Sequence, residues 1–233
     1  MVAPLVLGLD LHGTLLQPGE IMPPELVPQL ADVAARLQPR IDLMICTGND
    51  LDFVRRKVPP SILEPVAAYV LETGCSMSQD GQTEHVLTTP PERAAIASLE
   101  TRLRAARFPE LDYFAHRLTT ISMFCRDPRA FFARVSDFVS KAPEAPAVLI
   151  TYSSVAVDIL PAGYHKARGL ITLAHGRPTI GVADSMNDLP LLAHADYAFA
   201  PANLAPGPGG ATSGKCRQER CCSRFRPPKP IRD

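Results

Sequence analysis

Three short apolar runs along the chain each end in polar residues. The first run covers residues 5–9 and leads into Asp10, the second covers 41–46 and leads into Thr47, and the third leads into the acidic cluster 184–188. Short apolar runs bounded by turn residues are typical of strands buried on both faces of a parallel sheet. Open α/β sheets place their chemistry at the carboxyl ends of such strands, so we expect these polar residues to converge at one sheet edge.

The segments around these runs predict an α/β fold with a doubly wound, mostly parallel sheet. Helices that cover the sheet are predicted at 24–38, 50–57, 164–175 and 187–194. Between the second and third runs the order of predicted elements becomes helix, strand, strand, helix, strand, strand. These helices are predicted at 91–107 and 128–141, and these strands at 111–117, 119–125, 147–151 and 155–160.

The polar residues at the strand ends, together with Lys166, form a set that suits phosphoryl transfer. An aspartate, a hydroxyl, a lysine and a second acidic pair can attack phosphorus, hold its oxygens and bind a hard cation. Each residue also has an ordinary structural interpretation. Asp10 and the 184–188 cluster could cap helices or turns, Thr47 could belong to a turn, and Lys166 could be a solvated surface group. The occurrence of all of them in one order favours the chemical interpretation.

Four segments, taken in order, resemble the motifs of the haloacid dehalogenase superfamily of aspartyl-phosphate phosphotransferases. They are Asp10-Leu11-His12-Gly13-Thr14, Thr47-Gly48, Lys166 and Ala183-Asp184-Ser185-Met186-Asn187-Asp188. The resemblance covers roughly residues 5–204. The long segment between the second and third motifs resembles the type IIB subgroup, which includes Cof-like, sugar-phosphate and mannosyl-3-phosphoglycerate phosphatases. The resemblance implies a Rossmann-like core at 1–83 and 161–204 with an inserted α+β cap at 84–160.

The resemblance also implies a role for each matching residue. Asp10 would be the nucleophile that forms an aspartyl-phosphate, and Lys166 would offset negative charge on Asp10 and on the transferring group. The phosphoryl group of the substrate would be bound by Thr47, Gly48 and Lys166. Mg²⁺ would be held by Asp10, the backbone carbonyl of His12, Asp184 and Asp188, with Asn187 in support.

His12 is the main departure from the motifs, because the resembling phosphatases have a second aspartate there as general acid and base. An imidazole can donate and accept protons near neutral pH, so His12 could do the same work. It could equally mark weakened, altered or lost turnover. Two smaller departures are Asn49, where the family often has an arginine, and Ala183, where it usually has glycine.

Two functions therefore stay open. The first is Mg²⁺-dependent hydrolysis of a small phosphorylated sugar or sugar acid through an aspartyl-phosphate, with Asp10, His12, Thr47 and Lys166 as catalytic residues. A phosphomutase is a near variant of this function. The second is a turnover-impaired protein of the same fold that binds a phosphorylated ligand or a protein partner. Arg117, Arg126 and Tyr152 are candidates for contacts with the substrate from the cap.

Composition favours a soluble, cytoplasmic enzyme. The chain has 233 residues, 46% of them hydrophobic, and a formal net charge of zero, so neither nucleic acid nor a membrane surface is an expected partner. No apolar stretch reaches the ~18 residues that a membrane span requires. In a reducing compartment Cys46, Cys75 and Cys125 are expected to be free thiols. The sequence leaves the oligomeric state open.

The C-terminal segment has a different character. Residues 205–233 are rich in proline, glycine and basic residues, which predicts a disordered tail. Its three cysteines, Cys216, Cys221 and Cys222, lack the paired spacing of a zinc motif.

Overall fold

The computed structural model describes residues 4–16, 22–38 and 40–201. In chain order its strands are β1 (Leu5–Leu9), β2 (Ile41–Cys46), β3 (Val66–Leu71), β4 (Ser76–Ser78), β5 (His85–Val86), β6 (Leu111–Ala115), β7 (Ile121–Cys125), β8 (Val148–Tyr152), β9 (Ala156–Pro161), β10 (Thr179–Val182) and β11 (Tyr197–Phe199). Its α-helices are α1 (Val27–Leu37), α2 (Leu51–Lys57), α3 (Pro60–Leu63), α4 (Pro90–Ala106), α5 (Pro128–Ser140), α6 (Lys166–Ala174) and α7 (Leu189–His194). The predicted tail at 205–233 lies outside the described residues, as do the last three residues of the predicted core.

The large sheet has seven strands in the order β11-β10-β1-β2-β3-β4-β5. Strands β11 to β3 run parallel, whereas β4 and β5 add an antiparallel edge. Apolar clusters lie on both faces: Val54 and Ile62 belong to one, and Leu170 and Leu191 to the other. Helices therefore cover both faces, and the predicted doubly wound, mostly parallel sheet is confirmed.

The small sheet is antiparallel, with the order β6-β7-β9-β8. Helices α4 and α5 pack on one of its faces, where Leu103, Phe131 and Ile159 belong to a separate apolar cluster. Strand alternation sends every second residue of β7 and β9 to the opposite face. That face carries Ser122 and Asp158, both of which are buried.

The structure differs from the sequence predictions in short elements. The helix predicted at 187–194 starts as a 3₁₀ turn, Met186–Asp188, and α7 begins only at Leu189 because Pro190 favours a new first turn. Strands β4 and β5 have three and two residues, too few to show a period in the sequence. Since β5 pairs with β4, the large sheet extends beyond residue 83, where the predicted core segment ended. The division into core and inserted domain stays a prediction.

Among the described residues, no helix has both the length and the apolar character needed to cross a membrane. Cys46, Cys75 and Cys125 are buried free thiols, as expected.

Candidate active site

Three neighbouring strands of the large sheet end at one place. Asp10 directly follows β1, Thr47 directly follows β2, and Asp184 follows β10 after one residue. The pairing of β1 with both β2 and β10 aligns these ends, and the Asp10 amide donates to the carbonyl of Val182 over 2.9 Å. The expected convergence at a sheet edge therefore follows from the strand order.

The centre of the site is a carboxylate triad formed by Asp10, Asp184 and Asp188. One oxygen from each carboxylate lies within 4.8 Å of the others, and all three residues are buried. Lys166, the first residue of α6, places Nζ 2.6 Å from Asp10 Oδ1 and 2.5 Å from Asp188 Oδ1. The lysine thus bridges the strand β1 end and the turn before α7.

Burial and mutual repulsion govern the charge state of the triad. Burial, then repulsion from Asp188, raise the pKa of Asp10 to about 7, although Lys166 opposes the shift. Burial and Asp188 also raise the pKa of Asp184 to about 6. Burial disfavours the charged lysine, but the attraction of Asp10 and Asp188 outweighs it and raises the pKa of Lys166. The site is therefore short of positive charge.

Gly13 allows the loop after β1 to pass next to the triad. Its φ is +80°, and a Cβ on this residue would lie 1.9 Å from Asp184 Oδ2. Any side chain here would displace the carboxylate, so the backbone approach depends on glycine. Thr14, the next residue, directs its hydroxyl towards Asp10 Oδ2 over 3.4 Å.

Asn49 is the centre of a polar network beside the triad. Its side-chain Nδ2 donates to Thr47 Oγ1 over 3.0 Å and lies 3.3 Å from His12 Nδ1. Its Oδ1 accepts from Arg117 Nη2 over 2.5 Å, which fixes the orientation of the amide. Because Nδ2 is a donor, His12 Nδ1 has to accept, and the ring proton of a neutral His12 is on Nε2. The His12 ring also packs against Phe53, with 5.4 Å between ring centroids.

The small sheet closes the site from above. A cavity of about 30 Å³ lies between the sheets and is lined by Asp10 and Lys166 below and by Ser122 and Asp158 above. Ser122 Oγ donates to Asp158 Oδ1 over 2.6 Å, and burial raises the pKa of Asp158. This volume suits ordered water and is smaller than a metabolite.

Glu72 connects the two sheets. It lies in the 3₁₀ turn after β3 with φ of +42° and is fully buried. Its carboxylate accepts from the amide of Leu118 over 2.6 Å and from that of Thr119 over 2.7 Å, and the Thr119 hydroxyl donates to it as well. Leu118 and Thr119 join β6 to β7, so a residue of the large sheet holds the segment that carries Arg117.

The residues singled out from the sequence converge to different degrees. Cavity-lining members of that set are Asp10, His12, Gly48, Lys166, Asn187 and Arg117. Three more of these residues are buried next to the lining, namely Thr47, Asp184 and Asp188. Thr47 Oγ1 accepts hydrogen bonds from the backbone amide and from the side-chain Nδ2 of Asn49. Arg126 is exposed, and Tyr152 packs against Phe132; neither lines the cavity.

The residues of the site that the sequence did not identify include Asp158, Asn49 and Glu72. Asp158 had a usable signal, because it is the only charged residue in the apolar strand Ala156–Pro161. For Asn49, the sequence showed only that it replaces an arginine common in the family. Its hydrogen bonds could not be foreseen, because they depend on Arg117 from the segment between β6 and β7. Glu72 carries no signal, since its partners are 46 and 47 positions away.

The residues present fit a hard divalent cation. The carboxylate triad supplies oxygen ligands, which Mg²⁺ prefers, and three carboxylates outweigh the single Lys166. Burial and the repulsion between the carboxylates raise the pKa values of Asp10 and Asp184, so a nearby positive charge would favour their ionised forms. A dication would supply that charge. Asp10, Asp184 and Asp188 are the residues that would hold it.

These features define a class of α/β protein in which a carboxylate triad and a bridging lysine lie at a parallel sheet edge under an inserted antiparallel sheet. Comparison with solved structures shows that the chain has the fold of haloacid dehalogenase-like hydrolases, and one of the similar structures belongs to subclass IIB. One similar structure is a haloacid dehalogenase-like hydrolase from Bacteroides thetaiotaomicron, with 14% identity, 87% of this chain and 90% of that chain covered, and a TM-score of 0.64.

Two further similar structures carry more specific descriptions. The sucrose-phosphatase from Synechocystis sp. PCC6803, in complex with sucrose and phosphate, has 17% identity, 88% and 85% coverage and a TM-score of 0.66. A sugar phosphatase of haloacid dehalogenase subclass IIB has 15% identity, 86% and 88% coverage and a TM-score of 0.58. No protein-family model and no curated protein matches the chain. At these identities the likeness establishes the fold.

Proposed function

We propose that the protein is a Mg²⁺-dependent phosphomonoester hydrolase that works through an aspartyl-phosphate on Asp10. The observation that carries the proposal is the position of Lys166, whose Nζ lies within 2.6 Å of both Asp10 and Asp188. The positive charge of a lysine buried against two aspartates favours the ionised form that a nucleophile needs. A structural ion pair alone would not require a third carboxylate, Asp184, in the same cluster.

In the proposed reaction, Asp10 Oδ2 attacks phosphorus while Lys166 holds Oδ1. The bond from phosphorus to the leaving oxygen breaks as the bond to Asp10 forms, and the leaving alkoxide takes up a proton from water. Water then attacks the aspartyl-phosphate, loses a proton, and releases inorganic phosphate with Asp10 regenerated. Mg²⁺ on the triad would neutralise charge shared by the carboxylate and the phosphoryl group.

His12 assists the leaving oxygen by a hydrogen bond in this proposal, and the protons of both steps are exchanged with solvent water. Its Nε2 carries the proton in the neutral ring, because Nδ1 accepts from Asn49. Nε2–H can donate a hydrogen bond to the leaving oxygen. Full proton transfer from a neutral imidazole is unfavourable, so we expect slower turnover than an aspartic acid at this position would give.

A small phosphorylated sugar or sugar acid is the proposed substrate. The roof of the cavity carries a carboxyl group and hydroxyl groups, from Asp158, Ser122 and Ser153, which match the hydroxyls of a polyol. Two of the similar structures are described as a sucrose-phosphatase and a sugar phosphatase. A cytoplasmic location, which the composition of the sequence favours, is part of this proposal.

A second function is favoured by one observation. The Asn49 bond to His12 Nδ1 holds the residue in a form that is poor as an acid, which suits a protein that binds a phosphorylated ligand without efficient turnover.

Phosphate release separates the two functions. Release would be measured from a panel of phosphorylated sugars and sugar acids, with and without Mg²⁺, for the native protein, His12→Asp and Asp10→Asn. Release by the native protein that needs Mg²⁺ and disappears in Asp10→Asn supports the hydrolase. Release from His12→Asp alone would support the binding function. Native release that survives in Asp10→Asn would refute the aspartyl-phosphate.

A further inference from the structure

Arg117 is a buried cation that the small sheet brings to the site. It lies in the segment between β6 and β7, and only 7% of its side chain is exposed. Nη2 donates to Asn49 Oδ1 over 2.5 Å, and Nη1 donates to the carbonyl of His116 over 2.8 Å. Asp50 Oδ2 is 3.9 Å from Nη1. The guanidinium is thus held at two of its three nitrogens.

The third nitrogen of Arg117 has no hydrogen-bond partner among the residues that the structure describes. Nε is buried and makes no hydrogen bond, whereas the side chain lines the same cavity as Asp10 and Lys166. A buried charged donor without an acceptor is unfavourable unless something occupies the space it faces. The natural occupant is an anionic oxygen, because guanidinium groups bind phosphate and carboxylate oxygens through such N–H donors.

The large sheet supplies little free positive charge for a phosphate dianion. Lys166 is the other cation of the cavity lining, and its ammonium group is already bonded to Asp10 and Asp188. The loop after Gly48 offers Asn49 and Asp50, an amide and a carboxylate. Beside the Mg²⁺ that the triad would hold, Arg117 is therefore the cation of the cavity lining that still has a donor for a phosphate oxygen.

We propose that Arg117 is the phosphate-binding cation of this site and that its Nε–H donates to a phosphoryl oxygen of the substrate. The inference deepens the proposed function and rests on it. Glu72 acts as a positioning residue, because its bonds to the amides of Leu118 and Thr119 fix the backbone just after Arg117. Asn49 positions the guanidinium from the other side.

One consequence is a link between phosphate binding and closure. Arg117 belongs to the small sheet, and its anchors Asn49 and Glu72 belong to the large sheet. The cation reaches the phosphoryl group only when the two sheets are in contact, so bound phosphate stabilises that contact.

The test measures binding of inorganic phosphate to the whole protein in the presence of Mg²⁺ by titration calorimetry. We expect Arg117→Gln to weaken phosphate binding at least tenfold and Arg117→Lys to restore only part of it. Arg126→Gln is the matched control, because it removes an exposed arginine of the same insert, and it should bind phosphate as the native protein does. Phosphate binding by Arg117→Gln within twofold of the native protein overturns the inference, as does a native protein that binds no phosphate.

A second measurement avoids dependence on the folding of a variant. In the native protein, the ¹⁵N-labelled arginine Nε–H resonance that disappears in Arg117→Lys should shift on addition of phosphate. An unmoved resonance at saturating phosphate overturns the inference.

Hydrolysis distinguishes failure of the inference from failure of the proposed function. If the native protein hydrolyses the substrate and Arg117→Gln has the same KM, the role of Arg117 is refuted and the proposed hydrolase function is unaffected. If phosphate binding depends on Arg117 but no substrate is hydrolysed, the proposed hydrolase function is refuted and the proposed phosphate site is supported.

Discussion

Replacement of Asp158 by asparagine should stabilise the fold and impair the reaction. The Asp158 carboxyl is buried in the roof of the cavity and accepts a hydrogen bond from Ser122 Oγ. Burial raises its pKa, an effect that the bond from Ser122 and the charges of Arg117 and Lys166 reduce without cancelling. Asparagine has the same shape, keeps an oxygen for Ser122 and removes the buried charge.

The sign of the pH dependence follows from the raised pKa. The folded protein binds this proton more tightly than the unfolded chain does, whose aspartates titrate near 3.9. Native stability therefore falls as pH rises from about that value through the folded-state pKa of Asp158. Asparagine removes this loss, so the advantage of Asp158→Asn should be absent in acid and complete above the folded-state pKa.

The stabilisation expected at neutral pH is about 1–3 kcal/mol, the usual cost of burying a polar group that is incompletely paired. For a chain of this size that corresponds to an increase in Tm of roughly 2–10 °C. If Asp158 also contacts a substrate hydroxyl, kcat/KM for sugar phosphates should fall about 10-fold or more, as for loss of a hydrogen bond to a charged group.

The assay is thermal unfolding of the native protein and Asp158→Asn at several pH values between acid and neutral, with phosphate release measured in parallel. Asp137→Asn is the control, because Asp137 lies on α5 with 69% of its side chain exposed, and it should show no comparable pH-dependent gain. A variant that is less stable than the native protein by the same amount at every pH would refute the reasoning. Asp158 would then be a structural hydrogen-bond acceptor with no penalty from its charge.

Three other substitutions test the site. Asp10→Asn should reduce Mg²⁺-dependent phosphate release to background while the protein remains folded, and circular dichroism checks the fold. Lys166→Met should lower the free energy of unfolding by about 3–5 kcal/mol in urea titrations, because Asp10 and Asp188 lose the buried cation that contacts both of them. Gly13→Ala should abolish release and destabilise the protein, since its Cβ would meet Asp184. Gly176→Ala has a similar φ of +79° with open space around it, so equal losses in both variants would show that the loss comes from backbone strain and not from the clash.

The parts of the site that were predictable from the sequence depend on the backbone of one sheet. Asp10, Thr47 and Asp184 follow apolar runs. Parallel pairing of the strands places these positions together, and this placement does not depend on the contacts of their side chains. Lys166 was predictable only through the order of the motifs, because nothing in its own segment separates it from a surface lysine. The contacts of Asn49 and Glu72 were not predictable, since each depends on a side chain that meets a segment of the other sheet.

The departures from the usual motifs are physically connected. Asn49 bonds to His12 on one side and to Arg117 on the other, so the missing arginine, the altered acid/base position and the cation from the small sheet belong to one network. An arginine at position 49 would bring a second guanidinium against Arg117 and would remove the amide oxygen that accepts from Arg117. An aspartate at position 12, in contrast, would offer Asn49 Nδ2 a better acceptor than an imidazole nitrogen. The network therefore tolerates His12→Asp, which makes that variant a fair test of turnover. The same network disfavours Asn49→Arg as long as Arg117 is present.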